Sequence, residues 1–207
     1  MIQNQSVQKF LNALSGKSPT PGGGSVAALN GALGAALVSM VCNVTIGKKK
    51  YAAAEAEAQE ILQKAAALQT QLTALIGDDA AAFDKVMTAF ALPKSTAAEK
   101  QARAQAIQAA FKEATLVPLA TVKACAEVMR LGKRIAEIGN ANAISDAGSG
   151  VLTAHAGLRA AALNVLINLG SLKDKAFAAA TEAELNAILG DTAALAEETC
   201  ALVKESF

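Results

Sequence analysis

The chain has 207 residues and a mass of 20.9 kDa, so it can bury a substantial core without disulfide or metal cross-links. The 53% apolar content excludes intrinsic disorder. With only 3% aromatic residues and about fifty alanines, the composition disfavours a β-sandwich or barrel. The 19 basic and 18 acidic residues leave a net charge of +1, which provides no broad electrostatic footprint for nucleic acid. We therefore expect one helical domain over residues 1–207 and no nucleic-acid partner.

Cysteine usage and the N-terminal sequence predict a cytoplasmic protein. Cys42, Cys125 and Cys200 are scattered and form no CxxC pair, which indicates neither a disulfide framework nor a zinc site. The first residues, MIQNQSVQKFLNAL, contain no basic segment followed by an apolar one, so no secretory signal is expected.

The first two predicted helices flank a Pro- and Gly-rich segment, SGKSPTPGGGS. Ser6 can cap a short amphipathic helix before it, and Ser25 is expected to cap a long apolar helix over residues 26–46 that ends near Gly47. At about 30 Å this second helix is long enough to cross a membrane. Because Asn30 and other polar residues interrupt it, and no second strong span follows, we expect no membrane association and a buried central helix.

A stretch rich in Ala, Glu, Gln and Leu then runs from Tyr51 toward Leu92. Gly77, Asp78 and Asp79 either kink one helix or divide two, and we expect a helix to resume at Asp78.

Two capping-box patterns follow along the chain. Thr96 is followed three residues later by Glu99, which predicts a helix continuing to about Ile138 with Pro118 inside it. A second Gly/Ala-rich helix is expected to begin at Ser145 and Asp146 and run to about Leu169. Thr181 with Glu184 then predicts the start of a last helix toward Val203. No strand-like alternation is present, so the sequence predicts an all-α, single-domain bundle of about six to eight helices with a long buried central helix.

The first candidate binding site is the glycine segment, Gly22, Gly23, Gly24 and Ser25. Glycines let a backbone approach a ligand, and the helix start beyond them offers unpaired N–H groups suited to an anion or a polar ring. The alternative is a tight interhelical turn.

The second candidate is the lysine cluster, Lys48, Lys49 and Lys50, with Tyr51 beside it at the other end of the same helix. It could recognise carboxylates, with Tyr51 stacking or hydrogen-bonding, or the lysines could simply complement the helix dipole. An antiparallel dimer of central helices would bring the glycine segment of one chain near the lysine cluster of the other.

The remaining candidates are polar residues at predicted helix starts. Asp79 beside Asp78 could be an acid/base group if it is desolvated, or the pair could cap a helix. A second set combines amides, a hydroxyl and a carboxylate: Asn140, Asn142, Ser145 and Asp146. The one histidine, His155, lies in an apolar helix, which favours a core or interface role, and no metal-ligand spacing is present.

Three segments together carry a resemblance that covers essentially the whole chain: SPTPGGGSVAALNGALGAALVSMVCNVTIGKKKY, IGDDAAAFDKVM and GNANAISDAGSGVLTAHAGLRAAALNV. They closely resemble the cyclodeaminase/cyclohydrolase family of folate enzymes, which includes the C-terminal half of formiminotransferase-cyclodeaminase and free-standing methenyltetrahydrofolate cyclohydrolases. The resemblance implies an all-helical, homodimeric enzyme that binds a tetrahydrofolate derivative as its substrate. Both family reactions pass through a tetrahedral carbon between two nitrogens, so we expect positioned proton donors and acceptors and no metal or redox cofactor.

The resemblance also implies roles for the candidate residues. The glycine segment is assigned to folate contact, and the lysine cluster to the glutamate tail or to electrostatics at the reacting carbon. Asp79 and Asp146 are candidates for the catalytic base and for the carboxylate that pairs with the pterin edge, with either assignment open. Asn140, Asn142 and Ser145 are expected to orient the water or the ring.

Three functions remain open at this point. The sequence contains no formiminotransferase half, which favours the cyclohydrolase. A formiminotetrahydrofolate cyclodeaminase that releases ammonia is the second possibility, and a non-catalytic helical dimer that binds folate or a partner protein is the third.

Overall fold

The computed structural model describes residues 2–206, which contain no β-strand. Short 3₁₀ segments lie at Ile2–Asn4, Lys49–Ala54 and Ala141–Ala143. The α-helices of the described residues follow in chain order: α1 (Val7–Leu14), α2 (Gly23–Thr45), α3 (Glu55–Ala91), α4 (Ala97–Ile138), α5 (Ile144–Gly170), α6 (Lys175–Thr192) and α7 (Leu195–Glu205). The predicted all-α bundle is confirmed.

Helix α2 lies at the centre of the bundle, packed against α3, α4 and α5. It runs antiparallel to α5: Ala27 lies opposite Gly157, Gly34 lies opposite Gly150, and the loop before α5 bonds to Thr45. A Cβ at Gly157 would lie 2.6 Å from the carbonyl oxygen of Ala27, and one at Gly34 would lie 2.7 Å from that of Gly150. The Gly- and Ala-rich composition of both helices therefore reflects a backbone approach that a side chain would prevent.

Both central helices are long and apolar enough to cross a membrane, so the expectation of one such segment is wrong. Gly23–Thr45 and Ala141–Gly170 have mean hydropathies of 1.8 and 1.4 over their most apolar windows. Of those windows, 56% and 44% of the residues are buried within the bundle. The core helices of a soluble bundle meet the same criteria of length and composition.

Two predicted helix boundaries near the candidate site are wrong. Helix α2 begins at Gly23 with Gly22 as its N-cap, so Ser25 lies inside the first turn, fully buried, rather than capping the helix. Helix α3 passes through Gly77, Asp78 and Asp79 without a break. One glycine costs a helix only about 1 kcal/mol relative to alanine, which the packing of a 37-residue helix readily offsets.

The predicted start of the last helix is also wrong, whereas two other caps are confirmed. Thr181 is buried in the middle of α6, and Asp174 caps that helix by accepting a hydrogen bond from the Phe177 N–H at 3.0 Å. Ser6 caps α1, and Thr96 forms the predicted capping box at the start of α4. A Thr-x-x-Glu spacing marks a helix start only where no earlier cap is available, and Asp174 provides one here.

Replacing Gly157 with Ala tests the close approach of α2 and α5. The new methyl group would meet a backbone carbonyl that cannot rotate away, so the free energy of unfolding is expected to fall by about 1–3 kcal/mol. Gly190→Ala is the matched control, because that helical glycine has no atom within 4 Å of the added Cβ, and it should gain up to about 1 kcal/mol. Urea unfolding measures both, and equal effects would contradict the packing described.

Candidate active site

A cavity of about 450 Å³ opens where the N-terminus of α2 meets α3, α4 and α5. One wall is apolar and carries Phe83, Met87, Phe90 and Phe111. The lining also includes the backbone and polar side chains of Gly22, Gly23, Gly24, Asp79, Asn164 and Asn168. Among the described residues that line the cavity, none is Lys, Arg or His. The cavity thus offers an aromatic surface and hydrogen-bond acceptors to a ligand, without a positive side chain.

Asp79 is the carboxyl group of this cavity, and α3 holds it against the first turn of α2. The Ser25 hydroxyl lies 3.0 Å from Asp79 Oδ2 and 3.0 Å from the carbonyl oxygen of Ile76. Burial raises the pKa of Asp79, and hydrogen bonds from the Ser25 side chain and backbone N–H partly oppose that rise. The pKa of Asp79 is therefore higher than that of an exposed aspartate, which favours a role in proton transfer.

Gly24 makes this contact possible. A Cβ at Gly24 would lie 1.9 Å from Asp79 Oδ1, well inside the contact distance of the two atoms. Any other residue at position 24 would push the carboxylate away from Ser25. Within the glycine segment, Gly22, Gly23 and Gly24 line the cavity. Ser25 is not among the lining residues and contacts the site by its hydrogen bond to Asp79.

Asn164 and Asn168, which the sequence reasoning missed, lie one turn apart on α5. Asn164 Nδ2 donates to the carbonyl oxygen of Ala160 at 2.9 Å, and Asn168 Nδ2 donates to that of Ala114 at 2.9 Å. Both amides thus use their N–H groups on the backbone, and neither Oδ1 accepts a hydrogen bond from the described residues. The signal in the sequence was two asparagines spaced i, i+4 in the otherwise apolar residues 160–170 of α5.

The lysine cluster lies at the opposite end of α2, about 34 Å from Gly23 at 1.5 Å per residue over 23 residues. Gly47, with φ of 75°, ends the helix and turns the chain toward the cluster. Lys48, Lys49 and Lys50 are exposed. Within one chain, this cluster and the cavity are therefore separate, as the sequence predicts.

Tyr51 and Asn140 join the lysine end of α2 to the start of α5. The Ala141 N–H donates to the Tyr51 hydroxyl oxygen at 3.0 Å, and the Tyr51 hydroxyl lies 3.4 Å from Asn140 Oδ1. That backbone hydrogen bond, assisted by Lys50, lowers the pKa of Tyr51. Asn140 Nδ2 in turn donates to the carbonyl oxygen of Val44 at 2.9 Å. The structure thus places Tyr51 and Asn140 beside the lysine cluster.

The other polar candidates also lie at this end. The Asn142 N–H donates to Asn140 Oδ1 at 3.1 Å, and exposed Ser145 and half-buried Asp146 occupy the first turn of α5. About 27 Å of helix separates Asp146 from Asn164 at the cavity, at 1.5 Å per residue. The candidates therefore form two groups, one at each end of α2, with Asp79 and Asp146 apart in a single chain.

His155 belongs to neither group. It lines a separate surface depression between α5 and α7 with Leu152, Glu197 and Cys200. Across residues 2–206, no set of three or more His, Cys, Asp and Glu side chains is arranged to hold a metal ion.

Replacing Ser25 with Ala is expected to raise the pKa of Asp79 further, because the substitution removes a hydrogen bond that stabilises the carboxylate. A ¹³C NMR titration of the carboxyl group measures this pKa. Ser39→Ala is the matched control, since Ser39 is on the same helix but bonds only to the Ala35 carbonyl oxygen. A Ser25→Ala titration that overlays the wild-type curve would contradict the described contact.

Comparison with known proteins places this arrangement in a family. Residues 6–187 match the family profile described as formiminotransferase-cyclodeaminase. The chain is 52% identical to the methenyltetrahydrofolate cyclohydrolase of Methylorubrum extorquens, over 99% of this chain and 98% of that protein. It is 33% identical to the formimidoyltransferase-cyclodeaminase of Mus musculus over 91% of this chain, a match that spans only 35% of the mouse protein.

A solved structure resembles the whole fold. The crystal structure of formiminotetrahydrofolate cyclodeaminase from Thermotoga maritima superimposes with a TM-score of 0.83 at 30% sequence identity, covering 100% of this chain and 97% of that one. With the family profile and the full-length similarity to the cyclohydrolase, this establishes that the chain belongs to the formiminotransferase-cyclodeaminase family.

Proposed function

We propose that the protein is a 5,10-methenyltetrahydrofolate cyclohydrolase, which adds water to the amidinium carbon between N5 and N10 and gives 10-formyltetrahydrofolate. The observation that carries the proposal is Asp79, a half-buried carboxyl group on the wall of a largely apolar cavity, whose described lining residues include no basic side chain. A cationic substrate is attracted to such a site and repelled by an ammonium group. The full-length similarity to a methenyltetrahydrofolate cyclohydrolase supports the same reaction.

Asp79 acts first as the general base. Its carboxylate takes one proton from the attacking water as the C–O bond forms, which leaves a neutral tetrahedral carbon bonded to both nitrogens. The protonated Asp79 then gives its proton to N5 as the C–N5 bond breaks. The hydroxyl group on the carbon loses its proton as it becomes the formyl carbonyl, so one proton is released for each water consumed. Burial raises the pKa of Asp79, which makes its carboxylate a stronger base for the proton of the attacking water than an exposed aspartate.

Ser25 keeps Asp79 hydrogen-bonded in both of its protonation states. When Asp79 is ionised, the Ser25 hydroxyl can donate to Oδ2. When Oδ1 carries the proton taken from water, the hydroxyl can still donate to Oδ2 or to the Ile76 carbonyl oxygen. The carboxyl group therefore need not change position during the cycle, which limits the reorganisation that proton transfer requires.

The cavity walls suit the rest of the substrate. An apolar surface for a flat bicyclic ring is provided by Phe83, Met87, Phe90 and Phe111. The glycine segment has no side chains at Gly22, Gly23 and Gly24, which allows the ring to approach its backbone closely. Hydration followed by C–N cleavage transfers no electrons, so we propose that the reaction uses no redox cofactor, and that Asp79 carries out the proton transfers without a metal.

Formiminotetrahydrofolate cyclodeaminase is the second candidate activity. The observation that favours it is the similarity, over the whole chain, to a structure with that name. In this reaction N10 attacks the formimino carbon on N5, ammonia leaves, and Asp79 would transfer protons at the same tetrahedral carbon.

A spectrophotometric assay with the purified protein separates these functions. Loss of the near-ultraviolet band of 5,10-methenyltetrahydrofolate well above the spontaneous rate is the result expected of a cyclohydrolase. Growth of the same band from 5-formiminotetrahydrofolate, without accelerated loss, would identify a cyclodeaminase. No change with either substrate would contradict both and favour a non-catalytic binding protein.

Replacing Asp79 with Asn or Ala is expected to lower kcat at least about 100-fold, because Asp79 is the one carboxyl group among the described residues that line the cavity. Wild-type activity should fall as the pH is lowered through the raised pKa of Asp79, since the base must be ionised. Burial disfavours ionisation of Asp79 in the folded state, so the wild-type protein loses stability as the pH rises through the raised pKa. Asp79→Asn cannot ionise and should therefore be at least as stable as the wild type at neutral pH.

Asp146→Asn is the matched comparison for this test. If Asp146 pairs with the pterin edge, the substitution should raise KM and leave kcat largely unchanged. A large fall in kcat for Asp146→Asn, together with a small one for Asp79→Asn, would reverse the two assignments.

We also propose that the protein is a cytoplasmic homodimer. Helices α2 and α5 expose large apolar side chains, among them Leu33, Met40, Leu152 and Leu163. An antiparallel pairing of two copies about the middle of α2 would place the lysine cluster of one chain near the cavity of the other. In that arrangement the lysines can bind the glutamate tail, and Asp146 and Asn142 can reach the pterin. The cytoplasmic location is supported by the three free thiols, Cys42, Cys125 and Cys200.

Leu33→Asp and Leu163→Asp are expected to convert the dimer to a monomer, because each places a charge on the apolar surface of α2 and α5. Sedimentation velocity measures the mass. Leu116→Asp on α4 is the matched control, since Leu116 is 50% exposed, close to the 49% of Leu33. A wild-type protein that sediments as a monomer would contradict the dimer.

A further inference from the structure

Pro118 lies in the interior of α4, a position that costs a helix about 3 kcal/mol relative to alanine. The side chain is buried, and the helix continues for 20 residues beyond it to Ile138. A proline at this position has no N–H to donate to the carbonyl oxygen of Ala114, one turn earlier. Pro118 therefore leaves a buried backbone acceptor that needs another donor.

Asn168 of α5 is that donor. Its Nδ2 lies 2.9 Å from the Ala114 oxygen, and only the NH₂ side of the amide can donate to a carbonyl. The hydrogen bond thus fixes which way the amide faces, with no ambiguity between its oxygen and nitrogen. Asn168 Oδ1 is left without a donor among the described residues, on a side chain that lines the cavity.

We propose that Asn168 is a substrate-binding residue whose Oδ1 accepts a hydrogen bond from an N–H of the reduced pterin ring, and that Pro118 is the positioning residue that orients it. The inference rests on the proposed function and goes beyond it, because it assigns two residues outside the glycine segment and the carboxylates. Asn164 provides a useful contrast. Its Nδ2 bonds to Ala160 of its own helix, so its orientation does not depend on a residue of α4.

The chemistry of the substrate predicts which kinetic constant responds. A ring N–H is present both in the bound substrate and in the transition state, whereas the positive charge of the amidinium is lost when water adds. An acceptor for the N–H therefore contributes equally to both states and affects KM rather than kcat.

Two variants test the proposal. Asn168→Ala removes the acceptor and is expected to raise KM about tenfold, the loss of one hydrogen bond, with kcat within about twofold of wild type. Pro118→Ala supplies an N–H to the Ala114 carbonyl, which can then bond within α4 and release the Asn168 amide. It is expected to raise the midpoint of thermal unfolding and also to raise KM by about three- to tenfold. Higher stability with weaker substrate binding is a combination that a purely structural role of Pro118 does not produce.

Matched controls use the same residue types elsewhere. Pro93→Ala changes an exposed proline between α3 and α4, and Asn186→Ala changes an exposed asparagine of α6. Both controls should keep the wild-type KM. If Asn168→Ala does not fold, Pro118→Ala still carries the test, since it removes a helix-breaking residue.

A measurement without substrate separates this proposal from the proposed function. In ¹H–¹⁵N NMR spectra of the free protein, the Asn168 side-chain NH₂ group should exchange slowly with water in the wild type and faster in Pro118→Ala. Unchanged exchange and unchanged KM in Pro118→Ala would overturn the role of Pro118, and an unchanged KM in Asn168→Ala would overturn that of Asn168. A wild-type protein without turnover would instead contradict the proposed function, while the exchange measurement would still decide whether Pro118 orients Asn168.

Discussion

The contact between Asp79 and the first turn of α2 is the constraint on which the candidate site depends. Three features must coincide: a glycine at position 24, because a Cβ would overlap the carboxylate; a hydroxyl at Ser25, which bonds to it; and an unbroken α3, which carries it inward. Burial of the carboxyl group raises its pKa, and the hydrogen bonds from Ser25 partly oppose that rise. Local packing and acid/base chemistry therefore have one physical origin, so a change that loosens the turn also changes the proton affinity of Asp79.

The close antiparallel packing of α2 and α5 determines where the other polar groups can lie. Because glycines bring the two backbones together, one end of α5 places Asn164 and Asn168 beside the glycine segment, while the other places Asp146 beside the lysine cluster. A single chain thus has two groups of candidate residues separated by the length of α2. The proposed dimer follows from this separation, since a second copy in antiparallel orientation is the simplest way for both groups to contact one folate.

Much of this could be predicted from sequence, and the failures have physical reasons. Helical periodicity and composition predicted the bundle, and the Pro/Gly-rich segment marked the start of the central helix. Gly77 was over-interpreted as a helix break because propensity is a weak guide inside a long packed helix. Asn168 was missed because its significance depends on Pro118, 50 positions earlier in the chain, and a pairing between two helices has no local signature. Ser25 was expected to contact ligand directly, whereas its burial beneath Asp79 depends on tertiary packing.

Comparison of a kinetic pKa with the pKa of Asp79 tests the central claim most directly. The acid limb of the pH dependence of kcat/KM, measured with 5,10-methenyltetrahydrofolate, reports the base of the free enzyme. A ¹³C titration reports the Asp79 carboxyl group itself. The account predicts that the two values coincide in the wild type and rise together in Ser25→Ala. A kinetic pKa that differs from that of Asp79, or that stays fixed when Ser25 is replaced, would show that another group takes the proton from water.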